Sequence, residues 1–184
     1  MSEMSAITDN RFTRVHGKPR ERTVAKVTSY MTDEVKEFIQ KAPFVVMATS
    51  DEQGQCDASP KGGKPGYVKI VDDSHILIPD VAGNRLFQSY QNMNENPHVG
   101  LVFLIPGRDD TVRVNGRVRI VTNDELDQMK VELAVKFHDD KSKLLQGILV
   151  EVQESYTHCP RAFKFAGLWD VDEIGRTKES QRRR

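Results

Sequence analysis

Cysteine is scarce in this sequence of 184 residues: Cys56 and Cys159 are the only two. They are too few and too far apart for a disulfide framework or a CxxC redox or zinc pair. Net charge is missing as well, since 27 basic residues balance 27 acidic ones. A chain whose main work is gripping nucleic-acid phosphates or an anionic membrane surface needs a net basic face, so both partners are disfavoured. No apolar run approaches the roughly 20 residues that span a bilayer; the longest, over 99–105, is strand-sized. The first ten residues lack a basic segment followed by an apolar one, so no secretory signal is visible and a cytoplasmic location is expected.

Catalytic signatures are equally absent. Lys64 follows Gly63, but Ala58 stands where a nucleoside-triphosphate loop needs its first glycine. No GxGxxG, GxSxG or HExxH occurs. The histidines, at 16, 75, 98, 138 and 158, are scattered, and no metal site is expected. A cofactor that brings its own reactivity would explain an enzyme with so few catalytic side chains.

What is present reads as one domain, given roughly 150 residues per domain. Residues 1–31 are polar and form an arm, either packed on a partner or disordered. Residues 175–184 are almost free of apolar side chains, and residues 171–184 read as a flexible tail. Between them, residues 32–170 carry the fold. Thr32 caps a helix whose Val35, Phe38 and Ile39 share a face and which Pro43 ends. Residues 44–49 form a continuous apolar strand, expected to be buried on both faces. A hairpin turn at 51–54 leads to a strand over 56–60, and residues 61–66 read as a loop. Strands are expected over 67–71 and 75–78, a helix over 84–93, and a second apolar strand over 99–105.

Residues 111–121 alternate, with Val112, Val114, Val118 and Ile120 opposite Arg113, Asn115, Arg117 and Arg119. Gly116 interrupts that pattern and marks a bulge or a close backbone approach. Thr122 and Glu125 form a capping box opening a helix toward Phe137. A last strand covers 148–156, and a short helix 159–166. Hairpins outnumber strand–helix–strand units, which points to an antiparallel barrel with peripheral helices.

Three segments combine glycine or proline with basic and hydroxyl residues at strand ends: 57–62, 79–86 and 113–117. Arg85 falls in the first turn of the expected helix, where free N–H groups and the helix dipole favour a phosphate. Taken singly, each cluster also reads as a solvated surface. Together they favour a phosphate-bearing small molecule.

The order of these segments carries a resemblance. After Asp57-Ala-Ser-Pro-Lys-Gly62 come Ile76-Leu-Ile-Pro79, Gly83-Asn-Arg-Leu86, Asn96-Pro-His-Val-Gly-Leu101 and Arg113-Val-Asn-Gly116. The chain resembles the pyridoxamine 5′-phosphate oxidase-like family of FMN-binding split barrels over residues 32–170. The resemblance implies a mainly β fold with peripheral helices: a six-stranded antiparallel split β-barrel of the FMN-binding type. It further implies a homodimer with flavin sites at the interface and a small-molecule substrate.

Carried over by position, Ala58, Ser59, Pro60 and Lys61 would lie along the flavin ring and ribityl chain. Ile78 and Pro79 would flank the ring, and Asn84 and Arg85 would bind the phosphate. Thr111 falls where the oxidases place a glutamine that reaches the flavin. Arg113 and Arg117 would support the site or the partner subunit. Trp169 would either cover the flavin edge or anchor the chain end. Residues 158–169 depart from the segment with which the oxidases grip pyridoxal phosphate. The implied activity is an FMN-dependent oxidoreductase passing a hydride from a reduced donor to a small acceptor. The alternative is a non-catalytic flavin-, deazaflavin- or haem-binding protein on the same barrel.

Overall fold

The computed structural model describes residues 8–81, 86–129 and 144–182. Its strands are β1 (Phe44–Ser50), β2 (Cys56–Gly62), β3 (Lys69–Asp72), β4 (His75–Val81), β5 (His98–Leu104), β6 (Thr111–Val121) and β7 (Leu144–His158). Its helices are α1 (Arg11–His16), α2 (Glu21–Val24), α3 (Asp33–Lys41), α4 (Gln88–Glu95), α5 (Asn123–Gln128), α6 (Arg161–Ala166) and α7 (Val171–Arg182). All strand pairs are antiparallel, and the sheet order is β2-β1-β5-β6-β7-β4-β3.

The sheet is therefore open and seven-stranded rather than a six-stranded barrel. Its end strands explain this. β2 carries Pro60, which has no N–H to give a further neighbour, and β3 is only four residues long. Residues 61 and 62, expected in a loop, continue β2, because Lys61 and Gly62 stay in register with Val45 and Phe44. β3 begins two residues later than expected, with Tyr67 and Val68 ahead of it and buried.

The inner faces of β1, β4, β5, β6 and β7 close on one core. Val45, Met47, Ile76, Ile78, Phe103, Val112 and Ile148 meet there, with Val35, Phe38 and Ile39 of α3. Each such side chain, fully buried, contributes on the order of 1.5–3 kcal/mol. β1 does not bury both faces as its apolar run suggested: Val45, Met47 and Thr49 point inward, while Phe44 and Ala48 are exposed. A second small cluster lies on the outer face, where Leu126 of α5 covers Leu77 and Val121. The Thr122–Glu125 capping box that starts α5 is formed in both directions. Its expected extension toward Phe137 lies outside the described residues.

Gly116 marks both a bulge and a close approach. Asn115 pairs with Glu154 but Gly116 pairs with Val152, so Gln153 is the extra residue on β7. The arm is tied down at its end. Thr28 and Ser155 exchange backbone hydrogen bonds of 3.1 and 2.8 Å, and the Ser155 hydroxyl donates to the Tyr30 carbonyl at 2.7 Å. At the other end, residues expected to form a flexible tail make the helix α7. The Asp170 carboxylate accepts from the N–H groups of Asp172 and Glu173, capping a first turn that is itself acidic.

Candidate functional site

The expected site residues fall in three places. Ser59 and Lys61 lie on the side of β2 that faces α4, together with Asp57. Side chains hold α4 to the first two strands. The Ser89 hydroxyl donates to Asp57, Asn92 Nδ2 donates to Thr49 Oγ1 at 3.1 Å, and Asn96 Nδ2 donates to Ser50 Oγ at 3.0 Å. This seats Tyr90 beside Lys61, whose Nζ lies 5.8 Å from the ring centroid. Tyr67 donates its hydroxyl to the Lys61 carbonyl at 3.2 Å.

The Tyr90 hydroxyl is buried and makes no well-formed hydrogen bond among the described residues. Burial pushes its pKa up, and Asp80 beside it adds to the rise, with Gln146 also nearby. Asp80 is itself buried and faces Gln146, whose Nε2 lies 3.5 Å from its carboxylate. Lys61 makes no ion pair among the described residues. The result is a corner between β2, α4 and β4 containing a half-buried ammonium and a hydroxyl with unused hydrogen-bonding capacity. Asn84 and Arg85, expected to complete it, lie outside the described residues. α4 starts at Gln88, after Phe87 in the left-handed region at φ 54°, where a bulky residue is strained.

Ala58, Pro60, Arg113 and Arg117 lie on the outer face of the sheet. The rows read Ala58–Ala48–Gly100–Asn115 and Pro60–Val46–Val102–Arg113 across β2, β1, β5 and β6. Three strand spacings, roughly 14 Å, separate the β2 residues from the arginines, so the sheet does not bring them together. Arg113 lies over the Tyr156 ring at 5.6 Å and Asn115 donates to Glu154 at 2.9 Å. Around Ala48, Gly100 and Cys56 the face forms a shallow trough of about 310 Å³. A Cβ on Gly100 would come within 3.3 Å of Asn115 Oδ1, so the glycine keeps the trough floor low.

Of the remaining expected residues, Ile78, Pro79 and Thr111 are buried and Trp169 is half-buried. Ile78 is fully buried in the main core, and Pro79 is buried beside Gly147. Thr111 is buried at the start of β6, opposite His158. Trp169 donates Nε1–H to the Arg108 carbonyl at 2.7 Å and stacks on Phe163. Its polar edge thus anchors the chain end.

Two features had no clear sequence signal. Asp80 follows an apolar strand with nothing to mark it as buried. A cavity of about 630 Å³ between α2 and the end of β7 is lined by Val24, Lys26, Val27, Glu154, Tyr156 and Cys159, among others; nothing local shows that the arm folds over that strand.

Among the described residues no helix is long and apolar enough to cross a membrane. No group of three His, Cys, Asp or Glu side chains there could hold a metal ion.

No curated protein sequence matches the chain. Solved structures do. HupZ from Group A Streptococcus, as a tagged point variant, superposes with a TM-score of 0.50 at 19% identity, covering 70% of this chain and 99% of its own. A Lactobacillus delbrueckii protein provisionally called a pyridoxamine 5′-phosphate oxidase gives 0.51 at 20% identity, covering 70% and 95%. At these identities the likeness is one of fold. The sequence profile of pyridoxamine 5′-phosphate oxidase matches residues 31–159, from the last residue of the arm to the end of β7, and on that match the chain belongs to the pyridoxamine 5′-phosphate oxidase family.

Proposed function

We propose that this protein is an FMN-dependent oxidoreductase whose active unit is a homodimer. The observation that carries the reading is the corner at Lys61. Lys61, half-buried and without an ion pair among the described residues, stands next to a buried hydroxyl that makes no well-formed hydrogen bond among them, a pairing that suits an anionic headgroup. Asp80, the acid beside Tyr90, is directed to Gln146 and makes no ion pair with Lys61, so it does not neutralise the seat. Lys61 and Ser59 would hold the flavin phosphate and ribityl chain, with Asn84 and Arg85 as the further phosphate partners that the resemblance implies. Bound FMN would supply hydride chemistry that no side chain here provides. The chain's own part is to fix the phosphate, exclude water and shape the space above the ring.

The outer face supports the dimer. An antiparallel sheet with one wet face alternates apolar and polar residues. Here the paired outward positions of β1 and β5 are instead Phe44, Val46, Ala48, Gly100, Val102 and Leu104, with the polar Ser50 and His98 only at the strand ends. A second copy on this face would bury them, and would bring its Arg113 and Arg117 toward the first copy's β2.

Reconstitution with FMN tests the reading. Bound flavin is expected from its absorbance and quenched fluorescence, and NADH or NADPH is expected to reduce it. Lys61→Met removes one charged partner and should weaken FMN by roughly 1.5–3 kcal/mol, about 10- to 150-fold. Protein that takes up no FMN at saturating concentration overturns the proposal. Bound FMN that no reductant reduces would identify a flavin carrier instead.

A further inference from the structure

The cavity of about 630 Å³ between α2 and β7 has the size of a small-molecule site. It also has that composition. Val24 and Val27 from the arm, with Pro160, form apolar walls, and Tyr156 offers a ring. Its charge is lopsided: Glu34, Asp110 and Glu154 line it against Lys26, with the imidazole of His158 beside them. Asp110 is neutralised by Arg108, whose Nε lies 3.0 Å from one carboxylate oxygen. The Arg108 guanidinium beside it holds the Asp110 carboxyl below the usual range. Among the described residues Glu154 accepts from the neutral amide of Asn115 at 2.9 Å. Neither Glu34, Glu154 nor Lys26 makes an ion pair among the described residues. Arg113 lies over the Tyr156 ring but does not line the cavity.

We propose that this cavity binds a small organic cation, an amine carried on a flat or apolar body, and not a phosphate ester. The ammonium would sit between Glu34 and Glu154 and make a charge-assisted hydrogen bond to each. The body would lie along Tyr156 and the valines. A phosphate ester would set its charge against Glu34 and Glu154, with Lys26 to offset them and Arg108 already bound to Asp110. On the FMN reading above, on which this step rests, the cavity is the substrate pocket. Its β7 floor, Tyr156 and His158, pairs directly with Arg113 and Thr111 of β6, the strand that would reach the flavin.

Cys159 lines the cavity and is exposed, so it reports occupancy without any flavin. In the full chain with Cys56→Ser, the rate of Cys159 alkylation by iodoacetamide is measured against benzylamine, benzoate and phenyl phosphate. Benzylamine is expected to slow alkylation at least threefold at saturation, and Glu154→Gln to raise its half-protecting concentration about tenfold. Val27→Trp, which fills the cavity, should abolish protection by benzylamine while leaving the circular dichroism melt in place. Equal protection by benzoate or phenyl phosphate overturns the proposal, as does no protection by benzylamine at tens of millimolar. FMN uptake, measured separately, decides the flavin reading alone. Protection by benzylamine in a chain that binds no FMN keeps the amine site and removes only its role as substrate pocket.

Discussion

Gly116 shows how one missing side chain sets the geometry of two strands. A Cβ there would lie 2.1 Å from the Glu151 carbonyl oxygen and 3.2 Å from Val150 Cγ1. The first neighbour is backbone in the middle of β7 and cannot swing aside. Gly116→Ala should therefore destabilise the protein by about 2–3 kcal/mol, in the range of forced overpacking, read as a lower urea midpoint. An unchanged midpoint would show that β7 can shift its bulge at no cost. At the same scale, Tyr90 and Asp80 show the limit of reading one residue at a time. Tyr90 stands at helical spacing from Met93 and reads as core, and its ring is indeed packed against the core. Its hydroxyl meets Asp80, ten residues earlier on another element, and only the tertiary structure joins them.

Among the elements, α5 is specified most locally and so was most legible. Thr122 and Glu125 cap it, and Arg119 from the end of β6 adds an ion pair to the same carboxylate. The Thr122 N–H, then Arg119, hold the Glu125 pKa below the ordinary glutamate value. A depressed carboxylate contributes stability above its unfolded pKa and loses it as pH falls through the folded one. Glu125→Gln should therefore lower the unfolding midpoint at pH 7. The gap from the parent should shrink as pH drops below about 4, the ordinary carboxylate range. A gap independent of pH would show that the carboxylate's charge contributes nothing.

The β6 strand was legible for a similar reason, since apolar and polar residues alternate along most of 111–121 and Gly116 interrupts them. The reading of β1 went wrong in an instructive way. An apolar run cannot say whether its second face is covered by the same chain or by another. The helix at 171–182 was missed because composition argued for a tail, whereas the cap at Asp170 is a local signal that composition averages away. The arm's seat on β7 depends on Thr28 meeting Ser155 across 127 residues, and no local pattern encodes that.

For the whole molecule, the uncovered outer face decides whether the site is complete. If a second copy covers it, a charge placed at its centre should separate the copies. Ala48 is exposed and sits between Ala58 and Gly100 in the small-residue row. Ala48→Arg should shift the sedimentation coefficient from dimer to monomer at micromolar concentration and weaken FMN uptake, with little change in the thermal melt of the isolated fold. A parent protein that already sediments as a monomer would remove the dimer from the proposal.

One consequence of α4 reaches beyond its packing. β2 and β4 stand near opposite margins of the sheet, yet Lys61 and Asp80 both flank Tyr90. That side chain joins the two margins at one point, beside the core that already unites the inner faces of the strands. A ligand held by Lys61 would load the same joint. Whatever free energy it gains from the closed form, the closed form gains from it. Amide exchange along β2 and β4 should then slow together as the ligand is added, although the two strands share no hydrogen bond. The sheet's own breathing would report what is bound in its corner.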